Sequence, residues 1–120
     1  MIVHVVLFEP RPDLTEGGRQ RVFDDLRASA TTIPSVRRFR IGRRVRHGVP
    51  GYEQAMSDDY SFAAVIEFDD LSGLKAYLQH PSHEAIGRHF SQSALRALAY
   101  DYAMFDAAHP DAAAHLLGHG

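Results

Sequence analysis

The chain has 120 residues, 45% of them apolar and 23% charged, with a formal net charge of −2. That length makes one domain with one core the expectation, and the slightly acidic balance argues against a general polyanion or an acidic membrane surface as partner. Cysteine is absent, which removes disulfides, thiolate metal sites and cysteine nucleophiles together.

Residues 2–8, Ile-Val-His-Val-Val-Leu-Phe, are rich in β-branched and aromatic side chains and too short for a helix. They predict a strand buried on both faces, with His4 sharing a face with Val6 and Phe8. Glu9-Pro-Arg-Pro ends it, because proline cannot continue a ladder. Asp13 with Glu16 three residues later reads as a capping box opening a helix. Val22, Phe23, Leu26 and Ala30 form its apolar stripe, and Ile33-Pro34 closes it.

Residues 35–46 alternate, with Phe39, Ile41 and Val45 on one side and Arg38, Arg40, Arg44 and Arg46 on the other. This predicts a half-buried strand. Six of the 13 basic residues lie between Arg37 and Arg46. They read either as an anion-binding face or as a solvated edge strand whose charges discourage edge pairing; the acidic balance of the whole chain favours the edge. Nucleic-acid binding would rest on this strand alone, so no nucleic-acid partner is expected.

Residues 47–59 carry loop punctuation and are long for a connection, a length often used for lids or binding loops. Residues 60–69 form a third strand, with Phe62, Ala64, Ile66 and Phe68 on one face. Asp69 or Asp70 caps the helix that follows, on which Leu71, Leu74, Tyr77 and Leu78 share a face. Pro81 stops that helix near His80 and allows another to start directly after it. On this second piece His83, Ile86, Gly87 and Phe90 stand at i, i+3, i+4 and i+7. Residues 97–107 read as a fourth strand. The tail from His109 to Gly120 is alanine-rich and reads as a frayed helix or an arm exchanged in a dimer. No apolar run reaches the roughly 18 residues of a membrane span, and the chain enters a strand pattern without a basic leader, so a cytoplasmic protein without a membrane partner is expected.

The element order is β-α-β-β-α-β, the ferredoxin-like split βαβ pattern of an α+β fold. A single sheet covered by helices on one side leaves an apolar face open, and a homodimer is the simplest way to cover it.

Tyr77 and His83 both point where the apolar residues point. A histidine titrates near neutrality and can take and return a proton. A phenol can hydrogen-bond a carbonyl on which an enolate develops. Together they suit proton abstraction next to a carbonyl. The structural alternative is a packed His83 bonded to a backbone carbonyl, with Tyr77 in the core and its hydroxyl satisfied. His80, at a helix end, reads either as a pocket residue or as a ring set against the carbonyl dipole. As a metal pair, His80 and His83 lack the glutamate of a His-Glu-x-x-His motif and are broken by Pro81, so no metal and no other cofactor is expected.

Several stretches carry a family resemblance. They are Met-Ile-Val-His-Val-Val-Leu-Phe at the start, Ile33-Pro34 before the second strand, Phe39 and Gly42 within it, the Tyr60 to Phe68 segment, and above all Tyr77-x-x-His80-Pro81-x-His83. The chain resembles the stress-responsive dimeric α/β-barrel (Dabb) family over about residues 1 to 107. A domain over residues 1–108 and a tail over 109–120 follow. The resemblance implies ferredoxin-like protomers pairing into a barrel. Most members have no established activity; the best-understood relatives are cofactor-free polyketide cyclases of the olivetolic acid cyclase kind. Carried over residue by residue, their catalytic histidine falls on His83, their tyrosine on Tyr77 and their first-strand pocket histidine on His4. Their third-strand histidine is Phe62 here, and a first-helix tyrosine is Leu26. Substrate-binding positions implied are thus His4, Phe62, Leu26 and His80, around a small carbonyl-containing ligand other than the cyclase's own. Two readings remain: a cofactor-free enzyme or binder for such a ligand, and a non-catalytic stress or scaffold dimer with a vestigial pocket.

Overall fold

The computed structural model describes residues 1–52 and 58–118. Its elements are β1 (Ile2–Pro10), α1 (Glu16–Thr32), β2 (Arg38–Arg43), β3 (Phe62–Phe68), α2 (Leu71–Leu78), α3 (Pro81–Ser93), β4 (Ala94–Ala103) and α4 (Ala112–Leu116). The strands form one antiparallel sheet in the order β2-β3-β1-β4. This is the ferredoxin-like α+β arrangement, with the second helical unit divided at Pro81 into α2 and α3.

Register decides which side chains meet. His4 lies opposite Ile66 on β3 and Asp101 on β4. Side chains alternate along a strand, so His4, Val6 and Phe8 share the helix-covered face with Ala64, Ile66 and Phe68. Val3, Val5 and Leu7 share the other face with Leu98, Tyr100 and Tyr102 of β4. Val3 is buried, but Leu98, Tyr100 and Tyr102 are 39%, 56% and 50% exposed. Strand β1 itself is thus buried or half-buried on both faces; it is β4 whose side chains on the second face lack a covering layer within one chain.

Under the helices the core divides into two clusters. Ile33, Ala64, Ile66, Phe68, Leu74 and Tyr77 form one, and Phe8, Val22, Leu26 and Ile86 the other. Val6 and Phe39 pack against both. Burying side chains of this size contributes roughly 1.5–3 kcal/mol each, so the first cluster holds α2 to the sheet and the second holds α1 and α3.

Local chemistry corrects several boundaries. The helix α1 starts at Glu16, not Asp13. Thr15 is its cap, accepting from the Gly18 amide at 3.0 Å, while the Asp13 carboxylate is taken by Arg11 at 2.9 Å. Strand β1 runs on to Pro10, where its register with β4 shifts. Strand β2 ends at Arg43, so Val45 is 77% exposed rather than inward. Asp70 caps α2 by accepting from Gly73 at 2.9 Å, but Leu71 is 52% exposed and leaves the apolar stripe. Strand β4 begins at Ala94, three residues before the expected start, because α3 passes into it without a loop. Among the described residues of the tail only Ala112–Leu116 is helical, and Phe105 stacks on His115. The long loop before β3 was read as a lid or binding loop; its residues 53–57 lie outside the described residues. Among the described residues no helix is long and apolar enough to cross a membrane.

Candidate functional site

Between the two core clusters lies a cavity of about 290 Å³, lined by all four strands below and by α1, α2 and α3 above. Its lining is apolar except for His4, Tyr77 and His83. Each comes from a different element, and each for a local reason. His4 alternates inward on β1. Tyr77 stands one turn beyond Leu74 on the inner stripe of α2. His83 occupies the first turn of α3, a position set by Pro81 at the helix start.

The three rings converge. The ring centroids of Tyr77 and His83 are 4.7 Å apart, those of His4 and Tyr77 5.7 Å, and those of His4 and His83 6.4 Å. Tyr77 is 2% and His4 6% exposed, while His83 is half-buried. Burial and the neighbouring His4 lower the His83 pKa from its ordinary 6.5, against the hydrogen bond to the Leu78 carbonyl and the Glu84 carboxylate, which raise it. The imidazole is therefore neutral at pH 7. A ring nitrogen bonded to the Leu78 carbonyl must donate, which leaves its other nitrogen as an acceptor. Burial pushes the Tyr77 phenol above its ordinary 10.0, and Ser29 opposes this. The phenol thus keeps its proton and can donate it to a hydrogen bond.

Two residues beside this group escaped the sequence reading. Asp101 accepts from His4 Nδ1 at 2.6 Å, which fixes the imidazole tautomer and orientation. The only sequence signal for it was register, since Asp101 faces His4 directly across β1 and β4. Ser29 is fully buried on α1, with its Oγ close to Tyr77 but making no well-formed hydrogen bond. It takes the buried place on α1 that the expected stripe assigned to its neighbour Ala30.

Leu26 lines the cavity; Phe62 and His80 do not. Phe62 stacks on Phe8 at 5.3 Å and meets Phe23 edge-on at 5.2 Å, in the second core cluster. His80 is the cap of α3, its Nδ1 accepting from the Ser82 amide at 3.1 Å. Its ring serves the start of the next helix rather than the carbonyl end of α2. Among the described residues no group of three or more His, Cys, Asp or Glu is placed to hold a metal ion.

The family model of the stress responsive A/B barrel domain matches residues 2–104. The chain belongs to this family. A Dabb family protein from Mesorhizobium loti with a ferredoxin-like fold is 24% identical, with a TM-score of 0.69 over 88% of this chain and 97% of that one. A dimeric ferredoxin-like protein of unknown function from Thermobifida fusca is 24% identical, with a TM-score of 0.67 over 86% and 90%. The hydroxynitrile lyase of Passiflora edulis shares the fold at 12% identity, with a TM-score of 0.74 over 91% and 96%. No curated protein matches the sequence. The Dabb assignment and these neighbours agree with the topology derived from the strands.

Proposed function

We propose that this Dabb protein is a homodimer whose helix–sheet cavity binds a small carbonyl compound and moves a proton next to the carbonyl without a cofactor. The observation that carries the reading is the approach of Tyr77 and His83, with ring centroids 4.7 Å apart in an otherwise apolar cavity. In this reading the neutral His83 takes a proton from the carbon beside the carbonyl. Negative charge grows on the carbonyl oxygen, and Tyr77 donates a hydrogen bond to it. His83 then returns the proton to another atom of the same molecule. Such a cycle covers isomerisation, aldol cyclisation and related eliminations. The apolar lining excludes water and strengthens both contacts. His4, held by Asp101, completes the polar end of the cavity.

The dimer has separate support. Leu98, Tyr100 and Tyr102 are exposed together on the uncovered sheet face, and fold neighbours from Thermobifida fusca and Jannaschia are described as dimeric. The hydroxynitrile lyase shares only the fold at 12% identity, so the enzymatic reading rests on the side chains.

Cyclohexanone is a suitable probe, because its α-hydrogens exchange slowly without a catalyst. In deuterium oxide the protein should accelerate that exchange beyond free imidazole at the same concentration, and His83→Ala should abolish the excess. Exchange no faster than imidazole, with no shift of cavity resonances, would leave a non-catalytic dimer with a vestigial pocket as the better reading.

A further inference from the structure

A second cleft, of about 540 Å³, lies where β1 and β2 end and β3 and β4 begin. Five arginines line it: Arg19 from α1, Arg43 at the end of β2, Arg44 and Arg46 just beyond, and Arg96 from β4. Among the described residues only two carboxylates, Glu9 and Asp59, share the lining. In a chain with a net charge of −2 this is a local reversal of sign, and charge of one sign within a concave wall focuses its field into the recess.

The two carboxylates are already committed. Glu9 Oε2 accepts from the Ser61 amide at 2.6 Å. Asp59 accepts from both Arg44 and Arg46, and its backbone carbonyl accepts from Arg96. Partial desolvation works to raise the Asp59 pKa, but the Arg44 and Arg46 guanidiniums outweigh it and hold the carboxyl below its ordinary range. Asp59 therefore holds two guanidiniums with its carboxylate and a third with its backbone carbonyl. Arg96 is also fixed from below, its guanidinium carbon 5.3 Å from the centre of the Tyr60 ring. Forks held in place lose little freedom when a ligand arrives.

Among the described residues the remaining donors lack acceptors. Arg19 and Arg43 form no ion pair among the described residues. Arg96 Nε is buried and makes no hydrogen bond, and a desolvated donor without a partner is costly. We propose that this cleft binds a small, multiply charged oxyanion, carrying phosphate or carboxylate oxygens, through Arg19, Arg43 and Arg96, with Arg44 and Arg46 held by Asp59 as the supporting wall. The inference is independent of the chemistry at His83.

The test is a titration of the whole chain with pyrophosphate and, separately, with citrate at constant ionic strength, followed through backbone amide shifts. One of the two should give saturable shifts confined to the cleft. Tighter pyrophosphate binding identifies a phosphoryl ligand; tighter citrate binding identifies a polycarboxylate. Arg43→Gln and Arg19→Gln should each weaken binding about tenfold, the loss expected for a hydrogen bond to a charged group. Both side chains are exposed, so both variants should keep the parent amide spectrum. Arg40→Gln, on the uncovered sheet face, should bind as the parent does. The proposal is overturned if neither anion saturates, if the shifts follow sodium chloride alone, or if Arg40→Gln weakens binding as much as Arg43→Gln.

Discussion

Tyr77 and His83 lie on two different helices, yet their ring centroids are 4.7 Å apart. The cause is Pro81 between them. The chain turns at His80, whose ring caps the next helix, so the inner side of the last turn of α2 and the first inner residue of α3 face the same space. His83→Ala should remove exchange activity while leaving the folded state intact, because His83 is only half-buried. Tyr77→Phe keeps the ring and loses one hydrogen bond, so it should cost less, of the order of tenfold. Equal losses in the two variants would show that His83 is not the proton acceptor.

The depressed pKa of His83 makes two pH statements. Activity needs the neutral ring, so the acid limb of the rate profile should have its midpoint below 6.5. Stability follows from linkage. Between the folded and unfolded pKa values the unfolded chain binds more protons at this site, so stability rises with pH there and is lost as pH falls below about 6.5. His83→Gln should flatten that part of the stability curve. A slope unchanged by the substitution would place its origin at another group.

Asp101 is a positioning residue for His4. Asp101→Ala leaves the His4 Nδ1–H buried without its acceptor and should cost about 1–3 kcal/mol in urea unfolding. Asp101→Asn keeps a carbonyl oxygen able to accept, so it should cost less. If alanine and asparagine are equally mild, the 2.6 Å contact does not organise the site.

Sedimentation at micromolar concentration should give twice the 13.4 kDa of one chain. Tyr100→Glu places a charge in the middle of the uncovered apolar face and should shift the protein towards monomer. A parent protein that sediments as a monomer rules out the dimer.

The arginines of the second strand should divide by environment. Arg38 and Arg40 are exposed and only loosely paired with Glu67, at 3.9 and 4.0 Å. Glutamine at either should change stability by no more than about 0.5 kcal/mol. Arg44 was expected to be exposed as well, but its side chain is only 24% accessible and bonds Asp59. Arg44→Gln should therefore cost more, about 1 kcal/mol or above. Thermal or urea unfolding of the three variants distinguishes these outcomes.

Which features could be read in the sequence depended on how far apart their partners lie. Tyr77 and His83 were legible because each sits on an apolar stripe and one proline links them. The strand faces were legible because period two is local. Asp101 was not, because its meaning depends on a partner 97 residues away, which only the β1–β4 register supplies. Ser29 was missed because a small residue on an apolar stripe reads as packing, and Ala30 fits the pattern better. Val45 continued the alternation of β2 on paper, but Arg44 and Arg46 turn to Asp59 and the ladder ends before it. His80 was recognised as a helix end; that it belongs to the next helix depends on a 3.1 Å bond to the Ser82 amide.

The floor of the cavity on the β4 side is made of Ala97 and Ala99, and its rim includes the exposed Gly87. The empty volume thus exists because three positions have little or no side chain, and a methyl added at Gly87 would touch nothing within 4 Å. Ala97 and Ala99 stand on β4, whereas His83 and Tyr77, the groups proposed to handle the proton, stand on α3 and α2. On the β4 side, shape is therefore assigned to a different stretch of the chain from reactivity. Enlarging a residue at 97 or 99 would trim what fits without disturbing Tyr77 or His83, so descendants of one such protein could change their ligand through a single edge strand while inheriting the same reactive group.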